Sequence, residues 1–266
     1  MEMASVPKLN YAGKLAIFTS FYSFMAYAPY VRSLATTIGV LHELGVKYEY
    51  LMRPSDFHIE RAINNTLTEV MERGDFTDVL LIDSDESWEP EAVVRLLSYP
   101  EEIVGAAYRM KNSPHLFTGT VKYRDGFPVG RTLPDGTPLL EAERVAAGFM
   151  RIKVSALRRF HDAYPALRSE EPDGIKTQFF TRIIRDGVMH CQDMAFSRLW
   201  LELGGTLHID PMINVRHWWM ESHEGDFCEH LKRIHGGEPA SGSMTEDEAI
   251  KVVREMARQI EERKAA

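Results

Sequence analysis

Two carboxylates one residue apart, Asp83 and Asp85, follow the apolar run Val79-Leu80-Leu81-Ile82. Acids that close together stay ionised only when something cationic neutralises them. A divalent metal that also carries a phosphate ligand supplies such a charge. Three further stretches hold residues with chemistry to offer. Asp193 follows His190-Cys191-Gln192 at the start of an apolar-periodic segment, where the helix dipole favours a carboxylate. His217 closes the run Asn214-Val215-Arg216 and is a candidate metal ligand. Arg61, Asn64, Asn65 and Thr68 recur at three- and four-residue spacing. One cation and two amides on a helix face can hold a diphosphate or a base edge. Each group also has a plainer reading: post-strand loop, helix terminus, structural histidine, solvated helix face.

The elements that must position these residues follow from the pattern around them. Val79 to Ile82 has the uninterrupted apolar character of a central strand buried on both faces. Asp83 and Asp85 then lie at its carboxyl end, where ligands bind in open α/β sheets. Lys14 to Thr19 reads as a first buried strand, leading into Thr19-Ser20-Phe21-Tyr22-Ser23, a small-polar and aromatic loop suited to a planar base. Val31, Leu34, Ile38 and Leu41 mark one face of a helix that Gly45 ends. Tyr48 to Met52 is a second strand. Ser55-Asp56 caps a helix with the stripe Ile59, Ile63, Leu67 and Val70. Pro90 opens another, burying Val93, Leu96 and Leu97, before a strand from Glu102 to Tyr108. This alternation predicts a parallel, doubly wound sheet.

From Phe117 to Leu140 the Asp-Gly pairs at Asp125-Gly126 and Asp135-Gly136 predict antiparallel ribbons. Ala146-Ala147-Gly148 lets backbone approach a ligand closely. Ser155 caps a short helix through Phe160, and the charged stretch from Pro165 to Gly187 reads as a mobile loop. The helix from Gln192 buries Phe196, Leu199, Trp200 and Leu203, and Gly204-Gly205 ends it. A strand runs from Leu207 to Asp210. Gly236 to Ser243 is a flexible linker, and the capping box Thr245-Glu246-Asp247-Glu248 opens a terminal helix.

Composition bounds the function. The 266 residues suffice for one large domain or two small ones, and 44% hydrophobic with 26% charged residues is ordinary for a soluble globular chain. No run is long enough to span a membrane, and Met1 to Gly13 lacks a secretion signal. Cys191 and Cys228 form no metal-type pair, which points to the reduced cytoplasm. A net charge of −8 argues against a general polyanion binder, though not against a local basic groove.

In order, these motifs resemble the GT-A glycosyltransferases, family 2-like branch, from about Leu15 to Trp219. The resemblance rests on Asp83-Ser84-Asp85 after Leu80-Leu81-Ile82, then Gly148-Phe149-Met150, Gln192-Asp193 and Val215-Arg216-His217. It implies an α/β fold with a mixed, mainly parallel, Rossmann-like sheet flanked by helices, an antiparallel ribbon on the acceptor side and a C-terminal helix. Residues 14-110 would form the donor half, 111-235 the acceptor half, 236-244 a linker and 245-266 the terminal helix. It also implies a nucleotide-sugar donor, with a UDP-sugar favoured, and Mn2+ or Mg2+ as cofactor. Asp83 would touch the donor's ribose or sugar and the metal, Asp85 and His217 would hold the metal, and imidazole suits manganese better than magnesium. Thr19, Ser20, Arg61, Asn64 and Gly148 would line the donor, and Asp193 would be the general base of an inverting hexosyltransferase. The family carries Glu where this chain has Gln192, so a retaining outcome stays open.

Lys111, Lys122, Arg124, Arg131, Lys176, Arg182 and Arg185 would rim the acceptor side, with Phe117, Phe179 and Phe180 to stack on a base or sugar. The compact build resembles phage-type enzymes that glycosylate hydroxymethylated pyrimidines in DNA. A saccharide or small-molecule acceptor stands beside that. Two other readings compete: a sugar-1-phosphate nucleotidyltransferase, whose glycine- and lysine-rich loop is not seen at Thr19-Ser20, and a silent GT-A-like binding module. Trp218, Trp219 and His223 are expected in a lid, and the terminal helix offers an apolar stripe for a homo-oligomer.

Overall fold

The computed structural model describes residues 9–21, 25–54, 58–111, 116–219, 222–223, 226 and 229–230. The expected linker and terminal helix lie outside them, as do residues 220 and 221 of the segment expected to form a lid. In chain order the first elements are β1 (Lys14–Phe21), α1 (Ala28–Glu43), β2 (Lys47–Pro54), α2 (Ile59–Arg73), β3 (Asp78–Ile82), β4 (Glu86–Ser87), α3 (Glu91–Ser98) and β5 (Ile103–Gly105). There follow β6 (Thr120–Val121), β7 (Tyr123–Arg124), β8 (Phe127–Pro128), β9 (Gly130–Thr132), β10 (Pro138–Arg144), β11 (Phe149–Lys153) and α4 (Val154–Ala163). The last are β12 (Arg168–Glu171), β13 (Gly174–Thr177), β14 (Ile183–Arg185), β15 (Val188–His190), α5 (Gln192–Glu202), β16 (Leu207–Ile209), β17 (Arg216–Trp218) and β18 (Ser222–His223).

The expected α/β class holds. The central sheet runs β2-β1-β3-β11-β5-β16-β10-β6, with β9 also on β10. β1 pairs parallel with β2 and β3, and β5 parallel with β16. One refinement concerns the middle. β11 lies antiparallel between β3 and β5, so the sheet is mixed where simple alternation predicts consecutive parallel strands. This insertion positions the site, because it brings Phe149 opposite Ile82 and so sets Gly148 against Asp83.

Side-chain alternation assigns the two faces. Leu15, Ile17, Leu80 and Ile82 pack with Tyr30 and Leu41 of α1 and Val93 and Leu96 of α3. Ala16, Phe18, Val79 and Leu81 pack with Ile63 and Leu67 of α2, Leu157 of α4 and Phe196 of α5. Burying one large apolar side chain stabilises by roughly 2 kcal/mol, so a strand apolar at every position is held from both sides.

Three local expectations change. On α1 the buried face is Tyr30, Ser33, Thr37 and Leu41, while Val31 is exposed. The small hydroxyls receive Trp88: its amide donates to Ser33 Oγ (3.0 Å) and its indole N–H to Thr37 Oγ1 (2.9 Å). The stretch from Pro165 to Gly187 is not a loop. It forms the hairpin β12–β13 and most of β14–β15. The latter turns at Asp186-Gly187, both at positive φ (55° and 76°) like Asp125-Gly126 (51° and 81°) between β7 and β8. Asp-Gly tolerates two successive left-handed residues, the geometry of a tight hairpin. Lastly, Phe179 and Phe180 are core residues packed with Phe160 and Phe196, not acceptor-facing rings.

Candidate active site

Asp83 and Asp85 sit at the carboxyl end of β3, as the apolar run predicts. Their backbone is pinned on several sides. The Asp83 amide donates to the Gly148 carbonyl (2.9 Å), the Tyr27 amide to Ser84 (3.2 Å) and the Trp218 amide to Asp85 (2.7 Å). β4 follows at once and pairs with β17, which places His217 opposite Glu86 and Arg216 opposite Ser87. Residues directly opposite in an antiparallel pair carry their side chains on one face.

That register brings His217 to the acids. Nδ1–H of His217 donates to the Arg109 carbonyl (3.0 Å), and Nε2 stands 3.8 Å from Oδ1 of Asp85. The backbone acceptor sets the tautomer and aims Nε2 at the carboxylate, the usual arrangement around a ligating imidazole. Tyr108 packs edge-on to His217 at 5.3 Å. Lys111 forms an ion pair with Asp85, and its ammonium lies 5.2 Å over the Trp219 ring. Lys111 thus belongs to the acid cluster and not to the acceptor rim.

Gly148 is the hub of the cluster. A Cβ there would come within 2.7 Å of Oδ2 of Asp83, and closer still to the Tyr108 hydroxyl and Oε1 of Glu86. On its other side the Ala147 amide donates to Oδ2 of Asp193 (3.2 Å) in the first turn of α5. So Asp83, Glu86 and Asp193 surround one glycine. Burial, then the charges of Asp85 and Asp193, raise the Asp83 carboxyl to about 7, with Lys111 opposing. Burial first, then Asp83 and Asp85, push Glu86 well above the usual range. Burial also raises Asp193, against the Ala147 hydrogen bond and Arg144.

Glu86 is the site residue that the motif reading misses. It is 0% exposed, and its carboxylate shares the space beside Gly148 with the Tyr108 hydroxyl and Asp83. The signal in the sequence is only its place beside Asp85. Its burial depends on β17, which lies far along the chain.

Other expected site residues fall elsewhere. Asn64 is buried and structural: Nδ2 donates to Gln178 Oε1 and the Phe180 carbonyl (both 2.9 Å), and Oδ1 accepts from the Phe180 amide (2.8 Å). Thr68 accepts from the Thr177 amide (3.1 Å). The polar stripe of α2 therefore satisfies the backbone of residues 177–180, and Asn64 presents nothing to a nucleotide. Thr19 is likewise buried, its hydroxyl 2.6 Å from that of Tyr30. Ser20 is half-buried at the end of β1, and Arg61 is exposed on α2. The expected basic rim is largely neutralised: Lys122, Arg131, Lys176, Arg182 and Arg185 each pair with a carboxylate.

Among the described residues no three His, Cys, Asp or Glu side chains converge as a ready metal cage. Asp85 and His217 nevertheless face each other, and a hard divalent cation commonly takes one or two protein ligands and completes its shell with substrate phosphates and water. The donor set and the crowding of acids around a single lysine fit such an ion. At the opposite end of the sheet an open cavity of about 720 Å³ is lined by Tyr11, Asp78, Tyr99, Lys153 and Arg158. It is remote from this chemistry, since Asp78 and Lys153 lie at the far ends of β3 and β11.

No protein-family model matches the chain, and no curated protein matches it. Among solved structures it is similar to A197 from STIV, at 13% identity over 77% of this chain and 86% of that one, with a TM-score of 0.46. It is also similar to GalNAc-T7 with UDP, GalNAc and Mn2+, at 10% identity over 94% of this chain and 55% of that one, with a TM-score of 0.40. Among the described residues no helix is long and apolar enough to cross a membrane.

Proposed function

We propose that the chain is a glycosyltransferase that moves a sugar from a nucleoside-diphosphate sugar to an acceptor hydroxyl with the help of Mn2+ or Mg2+. The observation that carries this reading is the meeting of Asp83 and Asp85, at the carboxyl end of β3, with His217 on one side and Asp193 on the other. The first three lie where a diphosphate and its cation would bind. Asp193 lies where a base for the acceptor hydroxyl belongs.

Asp85 and His217 would hold the cation, with Asp83 toward the donor sugar or ribose. The cation's part is to offset charge on the departing diphosphate. Lys111, already at Asp85, is a second positive charge for the same group. Asp193 would take the acceptor proton, and burial raises its carboxyl above the ordinary range, the direction a general base needs. A base so placed favours inversion. Ser20 and Phe21 at the end of β1 and Arg61 on α2 would contact the nucleotide, UDP being favoured.

The acceptor side favours a saccharide or a small molecule over hydroxymethylated DNA. Most of its cations pair with carboxylates, whereas DNA binding draws on cations available to phosphates. The hairpin β14–β15, which leads directly into α5, presents Ile184 and Met189 opposite each other and exposed, a surface suited to an apolar ring face.

The test is release of nucleoside diphosphate from a panel of nucleotide sugars with Mn2+, comparing the parent with Asp85→Ala, His217→Ala and Asp193→Asn. Asp85→Ala and His217→Ala should abolish metal-dependent release. Asp193→Asn should keep donor and Mn2+ binding while losing transfer. An Asp85→Ala protein as active as the parent sinks the reading, and tight, salt-sensitive binding of duplex DNA would restore the DNA acceptor.

A further inference from the structure

We infer that the acceptor is a saccharide or small molecule carrying one anionic group, a carboxylate or a phosphate, and that Arg144 is the residue that holds this group beside Asp193. The inference rests on reading Asp193 as the base of a transferase. Its first support is where the backbone puts Arg144. β10 ends at this residue, past a shift of register between Ala142 and Arg144 that leaves Arg144 opposite Thr120. An irregularity of that kind re-aims a side chain. The chain then runs along the start of α5. The Val145 amide donates to Ser197 Oγ (3.3 Å) and the Ala147 amide to Oδ2 of Asp193 (3.2 Å). Ser197 stands one helical turn beyond Asp193, so Arg144 is fastened to the turn that carries the base.

The second support is charge. Arg144 is half-buried, yet among the described residues its guanidinium makes no hydrogen bond and no ion pair. Burial raises the Asp193 carboxyl, and the Ala147 hydrogen bond and then the charge of Arg144 oppose that rise. Arg144 is therefore within electrostatic reach of the base without being bonded to it. Its neighbours on the acceptor side differ. Lys122 pairs with Glu141, and Arg182 pairs with Glu60, whose charge also acts on Asp193. A guanidinium presents its N–H donors as a planar fork that fits a carboxylate or a phosphate two bonds at a time. One such group, and not a row of cations, suits a single anion better than a polyanion. An acceptor gripped there has its hydroxyl held near Asp193, which converts an encounter into a positioned reaction.

The experiment is transfer from a labelled nucleotide sugar, with Mn2+, to matched sets of methyl hexoside, methyl hexuronide and methyl hexoside phosphate in the gluco, galacto and manno series. The proteins are the full-length parent, R144Q and R144K. Release of nucleoside diphosphate without any acceptor is measured alongside. The parent should use an acidic acceptor with kcat/KM roughly tenfold or more above its neutral counterpart, and the preferred acid tells carboxylate from phosphate. R144Q should lose that preference through KM on the acidic acceptor while neutral ones are unaffected. R144K, charged but without the fork, should fall between. A parent that favours the neutral acceptors, or uses no acidic one, overturns the inference. So does an equal loss by R144Q on acidic and neutral acceptors, because Arg144 then acts only through Asp193. Failure of both variants to fold makes the residue structural and overturns it too. If the parent releases no nucleoside diphosphate from any donor, the transferase reading falls and takes this inference with it. Release without acidic preference removes only the inference.

Discussion

The Ala147 amide donates a 3.2 Å hydrogen bond to Oδ2 of Asp193, so the first turn of α5 is fastened to the residue preceding Gly148. On the other side of Gly148 stand Asp83 and Glu86. The glycine is therefore the smallest spacer between the two halves of the site. A Gly148→Ala protein should lose about 1–3 kcal/mol of stability from overpacking and lose donor hydrolysis almost entirely. Urea unfolding and nucleotide-sugar turnover measure the two effects. A stable and active alanine variant would mean that the acids have room to spread.

Lys111 forms an ion pair with Asp85. Lys111→Met should therefore bind Mn2+ more tightly than the parent when no donor is present. The pair is partly exposed, so its strength is about 1 kcal/mol, equivalent to roughly fivefold in affinity. The gain should shrink as salt is added, because screening weakens the pair being removed. A Mn2+ titration at low and high ionic strength checks both points, and weaker binding in the variant would contradict them.

Asn64 separates a structural role from a ligand role. Its amide holds the Phe180 N–H and C=O, and neither group has water to turn to in the core. Asn64→Ala should cost about 3 kcal/mol, from lost hydrogen bonds and stranded backbone groups. Mn2+ affinity and the donor KM of the folded fraction should be unchanged. Were Asn64 part of a nucleotide face, KM would rise and stability would not move.

The acid sensitivity of the fold has a source away from the site. Both oxygens of Glu49 accept from Arg73 (2.7 Å each), and Lys14 adds a third bond (2.8 Å). Arg73 and then Lys14 hold its carboxyl down, from 4.5 to about 2. A lowered folded-state value means stability that is present above 4.5 and lost as the pH falls toward 2. Parent and Glu49→Gln should thus differ most near neutral pH and converge toward pH 2, by less in high salt because the network is exposed. Thermal midpoints across that range give the comparison; a gap that persists at pH 2 would place the effect in packing.

The sequence alone determined the strand that matters. Val79 to Ile82 is apolar at every position, only a strand covered on both faces uses such a run, and so Asp83 and Asp85 had to stand at its exit. The Asp125-Gly126 turn, the helix Gln192–Glu202 and the order of strands and helices in the first half were legible for the same kind of reason: local sterics and periodicity act over a few residues. The Asp186-Gly187 turn carried the same signal as Asp125-Gly126 but was masked by the charge around it. What only the tertiary structure decided is which residues meet. The insertion of β11 between β3 and β5 set Gly148 against Asp83, and the β4–β17 register set His217 against Glu86. A packed interface, not the residue type, turned Asn64 into a clamp and Phe180 into core. Pairings between distant strands follow from burial summed over the whole sheet, and no short window of sequence contains that sum.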